Sequence, residues 1–392
     1  MKFWTSPRAA ILATFFAFGI YVGIHVGALP ALLERGKVSP EWFGIYQFGN
    51  MLTALLGMWL AGLLNRWLGH RTVILIMLPL LMVLIAGALF VESGLQFGVS
   101  LLVLGFAYAF LDLFMNAEAT YVEEAEARPL FGQFHGCVGF AMAIAGLLSG
   151  IASRWYSPWA MIPVLVLAMT GAFVLVWRNV HDRPPVSRRR DENFVALPRK
   201  KLALMAAAMG LGNVCEMAAI AWSGSMLTFM KPEWAAYSGL GIAFYGLCTG
   251  IMRFVSDPLR ARIGDYALMR NSLSVAVVGF MVLALSSIFW ISVLAFAAIG
   301  AGLSMVFPCL FSAAGRMVPE ARAAAMGFAA TVMSPPRIIM PLILGWLAGQ
   351  AGFSAVFAAC GLCAAICLAI IVLALKDRLI KERQSRTDAL QG

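Results

Sequence analysis

An aspartate and an asparagine four residues apart, Asp112 and Asn116, sit in a segment otherwise suited to hydrocarbon, since residues 97–111 ahead of them are almost wholly apolar. A helix places side chains at i and i+4 on one face, so the two share a surface. An acid inside a bilayer is costly and marks an ion or solute pathway. Proton exchange is the chemistry open to it, and Asp112 is assigned the proton-coupling role; the alternative is a buried acid hydrogen-bonded to Asn116 for helix packing alone. The chain then turns through 122–130 into Phe131-Gly-Gln133-Phe-His135. Counting back from helix ends near Ala119 and Leu130 at ~1.5 Å per residue, Asp112 and His135 lie roughly 10 and 8 Å inside one boundary on consecutive antiparallel helices. That spacing lets them share a site, although an interhelical hydrogen bond alone would also account for His135.

Other polar residues interrupt apolar runs in the same way. His25 lies in the first run, which is expected to break near Pro30, and Asn213, Glu216 and Trp222 lie in the seventh. Trp222 could stack on a ring-shaped solute or serve in packing and at the interface. Arg253 and Asp257, again at i and i+4, are expected to pair at the end of the eighth run and hold a gate. Glu118 points roughly 240° around the helix from Asp112, which leaves it outside the primary site.

Arg337 has the clearest chemical consequence. It falls near the middle of the eleventh run behind Pro335 and Pro336, where insertion of an arginine costs about 2.5–3.5 kcal/mol. A guanidinium keeps its proton, so it must face protein or a wet cavity. Two missing backbone donors just before it fit a helix that lines a cavity. Either Arg337 stands in an ion pair with Asp112 or Glu216, or it receives a carboxylate or similar anion in a bidentate grip, which predicts a negatively charged solute.

Composition supplies the frame for these residues. The chain has 392 residues, 61% hydrophobic and 12% charged, against about 25% charged in soluble domains. This is the composition of a polytopic, all-α membrane protein, and twelve apolar runs of spanning length occur, over 8–33, 43–64, 72–91, 95–119, 130–152, 158–177, 202–230, 235–255, 272–291, 293–314, 323–348 and 353–375. The expected division is a six-helix bundle over 1–180, a basic linker over 181–200, a second bundle over 201–376 and a tail over 377–392. The first segment is long enough to span and stay, so no cleavable signal is expected.

With both termini inside, only Arg35, Lys37, Arg154 and Lys231 among the loop cations fall outside, which satisfies the positive-inside rule. The net charge of +10 is thus topological and implies no nucleic-acid partner. Pro40-Glu41-Trp42 recurs as Pro232-Glu233-Trp234 about half a chain later, as do the basic loop around Gly69 near Gly264 and Glu126-Ala-Arg128 at Glu320-Ala-Arg322. Such a parallel repeat places a solute cavity between two six-helix halves near the midplane. All seven cysteines lie in predicted helices and suggest no disulfide; Cys360, Cys363 and Cys367 share one face and are read as a core or lipid-facing stripe in preference to a metal site. No metal, cofactor or nucleophile-and-base set is indicated, and no enzyme is expected.

These residues resemble the major facilitator superfamily over nearly the whole chain. Asp112-Leu-Phe-Met-Asn116, followed by Arg128-Pro129 and Phe134-His135-Gly136, looks like the bacterial permease branch related to proton-coupled fucose permeases. That resemblance implies that Asp112 carries the coupled proton and that His135 occupies the position of a polar, sugar-contacting residue. Two departures stand out: the helix-one acid of those permeases is missing, with His25 and Val26 in its neighbourhood, and Arg66 stands where the superfamily's loop carries an aspartate three residues before its glycine. The expected function is proton-coupled secondary transport, by alternating access, of a small polar and anionic solute (sugar-like, sugar acid or carboxylate) across a bacterial inner membrane. A monomer with cytoplasmic termini is expected, with solute, protons and lipid as its partners. Efflux of a drug, metabolite or carboxylate siderophore is the alternative, and a transport-dead membrane sensor or scaffold is the more distant one.

Overall fold

The computed structural model describes residues 6–64, 67–181, 199–318 and 322–377. Arg66, Glu320, most of the expected linker and nearly all of the tail lie outside the described residues, as does the side chain of Asp257. Every long element is helical: α1 (Pro7–Gly36), α2 (Pro40–Leu64), α3 (His70–Ala88), α4 (Gly94–Glu126), α5 (Phe131–Trp155), α6 (Ile162–Asn179), α7 (Arg199–Met230), α8 (Leu240–Phe254), α9 (Ser256–Leu285), α10 (Phe289–Leu303), α11 (Val306–Met317) and α12 (Arg322–Ala369).

Among the described residues, eleven helical segments are long and apolar enough to cross a membrane. The last of them, Gly327–Leu373, has 47 residues, about twice the ~20 that a bilayer requires. It bends at Gly352, whose φ of 78° and ψ of 177° are non-helical, and so contributes two spans. The twelve runs of the sequence are thereby accommodated. One span, Phe289–Ala314, is interrupted between α10 and α11. Pro308 accounts for that break, because its ring collides with the carbonyl four residues back, at Ser304.

Several expected boundaries shift. The first helix does not break at Pro30 but runs through it to Gly36, where Lys37 in the left-handed region donates its N–H to Glu34; prolines are tolerated in membrane helices whose neighbours restore the lost contacts. The stretch expected as a loop before 272 is helical from Ser256, with Pro258 in its first turn and a kink at Gly264, where φ is 80°. The eighth helix starts later than 235, after a 3-10 turn over Pro232–Tyr237.

Helices α1 to α6 pack among themselves, as do α7 to α12, and the two groups meet chiefly where α5 crosses α8, α2 crosses α12 and α1 crosses α7. The α5–α8 seam is backbone against backbone. A Cβ added at Gly139 would meet Gly246 O at 2.7 Å, and one added at Gly150 would meet Gly239 N at 2.9 Å. At the other seam, a Cβ at Gly44 would lie 2.5 Å from Pro341 O, and one at Gly345 would lie 2.6 Å from Gly44 Cα. Small residues at membrane helix contacts permit this closeness.

The turn between α4 and α5 fixes the spacing of the first candidate residues. Glu123 Oε2 accepts from the N–H groups of Leu130 at 2.6 Å and Phe131 at 2.9 Å, satisfying donors at the start of α5. Arg8 at the start of α1 donates to Gln133 at 2.6 Å and to Glu126 at 3.5 Å. Three helix ends are tied together there, one helical stretch away from Asp112 and His135.

Candidate functional site

Between the two groups of helices lies a cavity of about 400 Å³. Its wall includes Asp112, His135, His25, Asn213, Glu216, Trp222, Arg253 and Arg337, so most of the polar residues singled out in the sequence converge on one space. Asn116 reaches it through its bonded neighbours.

On the α4–α5 side, Asn116 Nδ2 donates to the backbone carbonyl of Asp112 at 2.7 Å and to its Oδ1 at 3.1 Å, while Asn116 Oδ1 lies 3.1 Å from His135 Nε2. The three side chains form one chain of hydrogen bonds. The imidazole is held by aromatic neighbours, edge-on to Phe15 with centroids 5.2 Å apart and stacked near Phe131 at 6.0 Å.

On the α7–α8 side, Glu216 Oε1 accepts from Tyr245 and from Arg253 NH2, each at 3.3 Å. Arg253 lines the cavity and forms an ion pair with Glu216; the expected Arg253–Asp257 pair falls on a side chain outside the described residues.

Arg337 differs from Arg253. Its guanidinium donates to the phenol oxygen of Tyr108 at 3.3 Å, and among the described residues no ion pair within 4.0 Å joins it to Asp112 or Glu216. It is nonetheless close enough to act electrostatically on Asp112. The standing ion pair considered in the sequence is absent, which leaves a half-buried cation facing the cavity on one neutral partner. Two further polar atoms, His25 Nδ1 and Asn213 Oδ1, are buried without a hydrogen-bond partner among the described residues.

Trp222 closes one end of this space. Its ring meets Phe43 edge to face at 4.7 Å and lies 5.8 Å from Phe353. The same side chain borders a second, mostly apolar cavity of about 220 Å³ beyond it, lined also by Pro30, Ser225 and Thr228.

Elsewhere, Glu118 is buried against His70, with Oε2 3.4 Å from Nδ1, away from the cavity. Cys360 and Cys367 are wholly buried against α7, where Cys367 donates to Ala208 O at 3.3 Å, so these two members of the cysteine stripe are core, while Cys363 is half-buried. No group of three metal-binding side chains occurs among the described residues.

Several lining residues were not singled out from the sequence, among them Tyr108, Tyr21 and Tyr245. Periodicity carried the signal. Tyr108, Asp112 and Asn116 are spaced by four, as are Tyr245, Thr249 and Arg253, and Tyr21 and His25.

The family model described as Major Facilitator Superfamily matches residues 119–334 and 209–390, which together take in more than half of the chain. The chain belongs to the Major Facilitator Superfamily. Among relatives of this superfamily transporter, the uncharacterized transporter y4wD of Sinorhizobium fredii is 28% identical and aligns over 96% of this chain and all of its own length. An uncharacterized MFS-type transporter of Yersinia pestis is 22% identical over 94% of each chain, and the membrane protein MosC of Rhizobium meliloti is 24% identical over 88% of this chain and 84% of its own. Among solved structures, a variant of the nucleoside transporter NupG superposes with a TM-score of 0.73 at 13% identity, covering 93% of this chain and 98% of that one. The human organic anion transporter MFSD10 (TETRAN) gives 0.61 at 15%, over 93% and 98%. These likenesses show the fold. The superfamily protein is a multi-pass membrane transporter, not an enzyme, with a small-molecule solute and the bilayer as its partners.

Proposed function

We propose that this protein is a proton-coupled secondary transporter of a small organic anion, acting as a monomer in the bacterial cytoplasmic membrane with both termini cytoplasmic. The observation that carries the reading is Arg337, a cation in the cavity wall held by one neutral phenol. A charge so placed calls for an opposite charge, and a guanidinium grips a carboxylate with two parallel hydrogen bonds. Asp112, close to it, is the group that loses or gains a proton as the anion leaves or arrives. Proton and anion then travel together because each neutralises a charge that the other's absence exposes.

His135, Asn213, His25 and Glu216 orient the solute, Asn116 takes part in solute binding through His135, Trp222 closes the cavity on the side of the Pro40 loop, and Arg253 holds Glu216. Asp257 is assigned to the gate with Arg253 at the far end of α8. The halves 1–180 and 201–376, joined by the linker 181–200, rock about the cavity. The fold carries organic anions in MFSD10 and nucleosides in NupG, so it accommodates such cargo.

A thermal-shift screen of purified protein against carboxylates, neutral sugars and amines tests the class of solute, and a radiolabelled hit in proteoliposomes tests coupling. Stabilisation by carboxylates and uptake driven by an inward proton gradient are expected. Binding of cations or neutral sugars alone would remove the anion reading.

A further inference from the structure

Asn116 fixes the proton of His135, and with it the kind of group that His135 can offer a solute. Its amide has two ends, a donor and an acceptor, and the end facing Asp112 lies 2.7 Å from that residue's backbone carbonyl and 3.1 Å from its Oδ1. A backbone carbonyl accepts in every protonation state of the neighbouring acid, so the NH2 must point there. The amide oxygen therefore faces His135 Nε2 across 3.1 Å, and Nε2 must carry the hydrogen. A neutral imidazole protonated on Nε2 has a lone pair on Nδ1. That nitrogen has no hydrogen-bond partner among the described residues and belongs to a side chain of the cavity wall.

A second acceptor lies across the same cavity. Asn213 Oδ1 is buried and has no partner among the described residues, on the other half of the molecule. A buried acceptor without a donor is unfavourable, and a solute that supplies the donor is preferred over one that cannot. An alkyl carboxylate has nothing to give either group. Hydroxyls do.

We infer that the solute is a hydroxylated organic acid anion of the sugar-acid kind, its carboxylate on Arg337 and its hydroxyl hydrogens donated to His135 Nδ1 and Asn213 Oδ1. This rests on the anion reading and narrows it. The amide of Asn116 is a positioning group here: it does not touch the solute but sets which imidazole nitrogen is the acceptor.

The test uses three six-carbon probes on the purified full-length protein: D-gluconate, hexanoate and D-glucose. Gluconate and hexanoate share charge and chain length and differ in hydroxyls, while glucose has hydroxyls without charge. Gluconate should bind at least roughly tenfold more tightly than hexanoate, as two new hydrogen bonds to unpaired groups would give. His135→Phe and Asn213→Ala should each narrow that ratio, and nitrogen NMR of histidine-labelled protein should report His135 with its hydrogen on Nε2. Equal binding of hexanoate and gluconate overturns the hydroxyl inference and leaves the anion reading standing. Glucose binding as well as gluconate overturns the anion reading instead. Failure of gluconate to bind, or a His135 hydrogen on Nδ1, overturns the inference outright.

Discussion

Arg337 NH2 and Tyr108 Oη meet at 3.3 Å across the interface between the two groups of helices, joining residues 229 positions apart. The contact is the one hydrogen bond that the cavity's unneutralised arginine makes among the described residues. Replacing Arg337 with lysine keeps the charge and loses the planar fork, so solute affinity should fall by at least roughly tenfold. Tyr108→Phe removes one charge-assisted hydrogen bond, of about 1.5 kcal/mol, and should weaken binding roughly tenfold. Isothermal titration with the screened solute measures both, and an Arg337→Ala protein of unchanged affinity would remove the anion site.

Asp112→Asn keeps the shape of the side chain and loses its titration. Accumulation against a gradient should disappear while counterflow exchange persists, since exchange needs binding and reorientation but no net proton movement. Proteoliposomes with an imposed proton gradient separate the two. Undiminished uphill uptake would exclude Asp112 from coupling.

Trp222 stands between the central cavity and the smaller one of about 220 Å³. In a cysteine-free background, a cysteine at His25 should react faster with a membrane-impermeant thiol reagent from the side of the Pro40 loop once Trp222 is replaced by alanine. Thiol labelling rates in right-side-out and inverted vesicles read this. No acceleration would mean that the closure lies elsewhere.

The α5–α8 seam has no room for a side chain. A Cβ at Gly246 would fall 2.8 Å from Gly139 O, and a backbone carbonyl cannot swing aside as a side chain can. Gly246→Val should cost about 1–3 kcal/mol through overpacking. It should lower the melting temperature in detergent, whereas the same change at Gly171, with no heavy atom within 4 Å of an added Cβ, should not.

Cysteines introduced at Ser187 and Ser385 should label only from the cytoplasmic side, and one at Ser39 only from outside. Reaction of Ser187→Cys from outside would break the arrangement of two halves joined by a cytoplasmic linker.

Much of this architecture is legible in the sequence because a bilayer permits few alternatives. Each apolar run must close its own backbone hydrogen bonds, so the spans could be read almost directly. Asp112, Asn116 and His135 were legible for the complementary reason: polar atoms in hydrocarbon need a purpose or a partner. Partner choice between distant helices was not legible. Arg253 bonds Glu216 on α7, 37 positions earlier in the chain, a contact set by how α8 is rotated against its neighbour. The helical stretch before Gly264 was obscured by its charge, which reads as loop when periodicity is weighed without the prolines and glycines that bound it.

The two seams between the halves are built differently. Along α5 and α8 the backbones touch from Gly132, whose Cβ would meet Arg253 O at 2.7 Å, to Gly150 beside Gly239. On the other side, Gly44 presses on Gly345 near the start of α2, but further along, Gly57 faces Phe106 of α4, and Gly327 near the start of α12 has open space around it. One seam is a continuous rail and the other a clasp fastened at a single end. The rocking proposed above would be skewed by such bearings, with the larger excursion at α2 and α12 and the mouth of the cavity widening as a wedge toward the lipid between them.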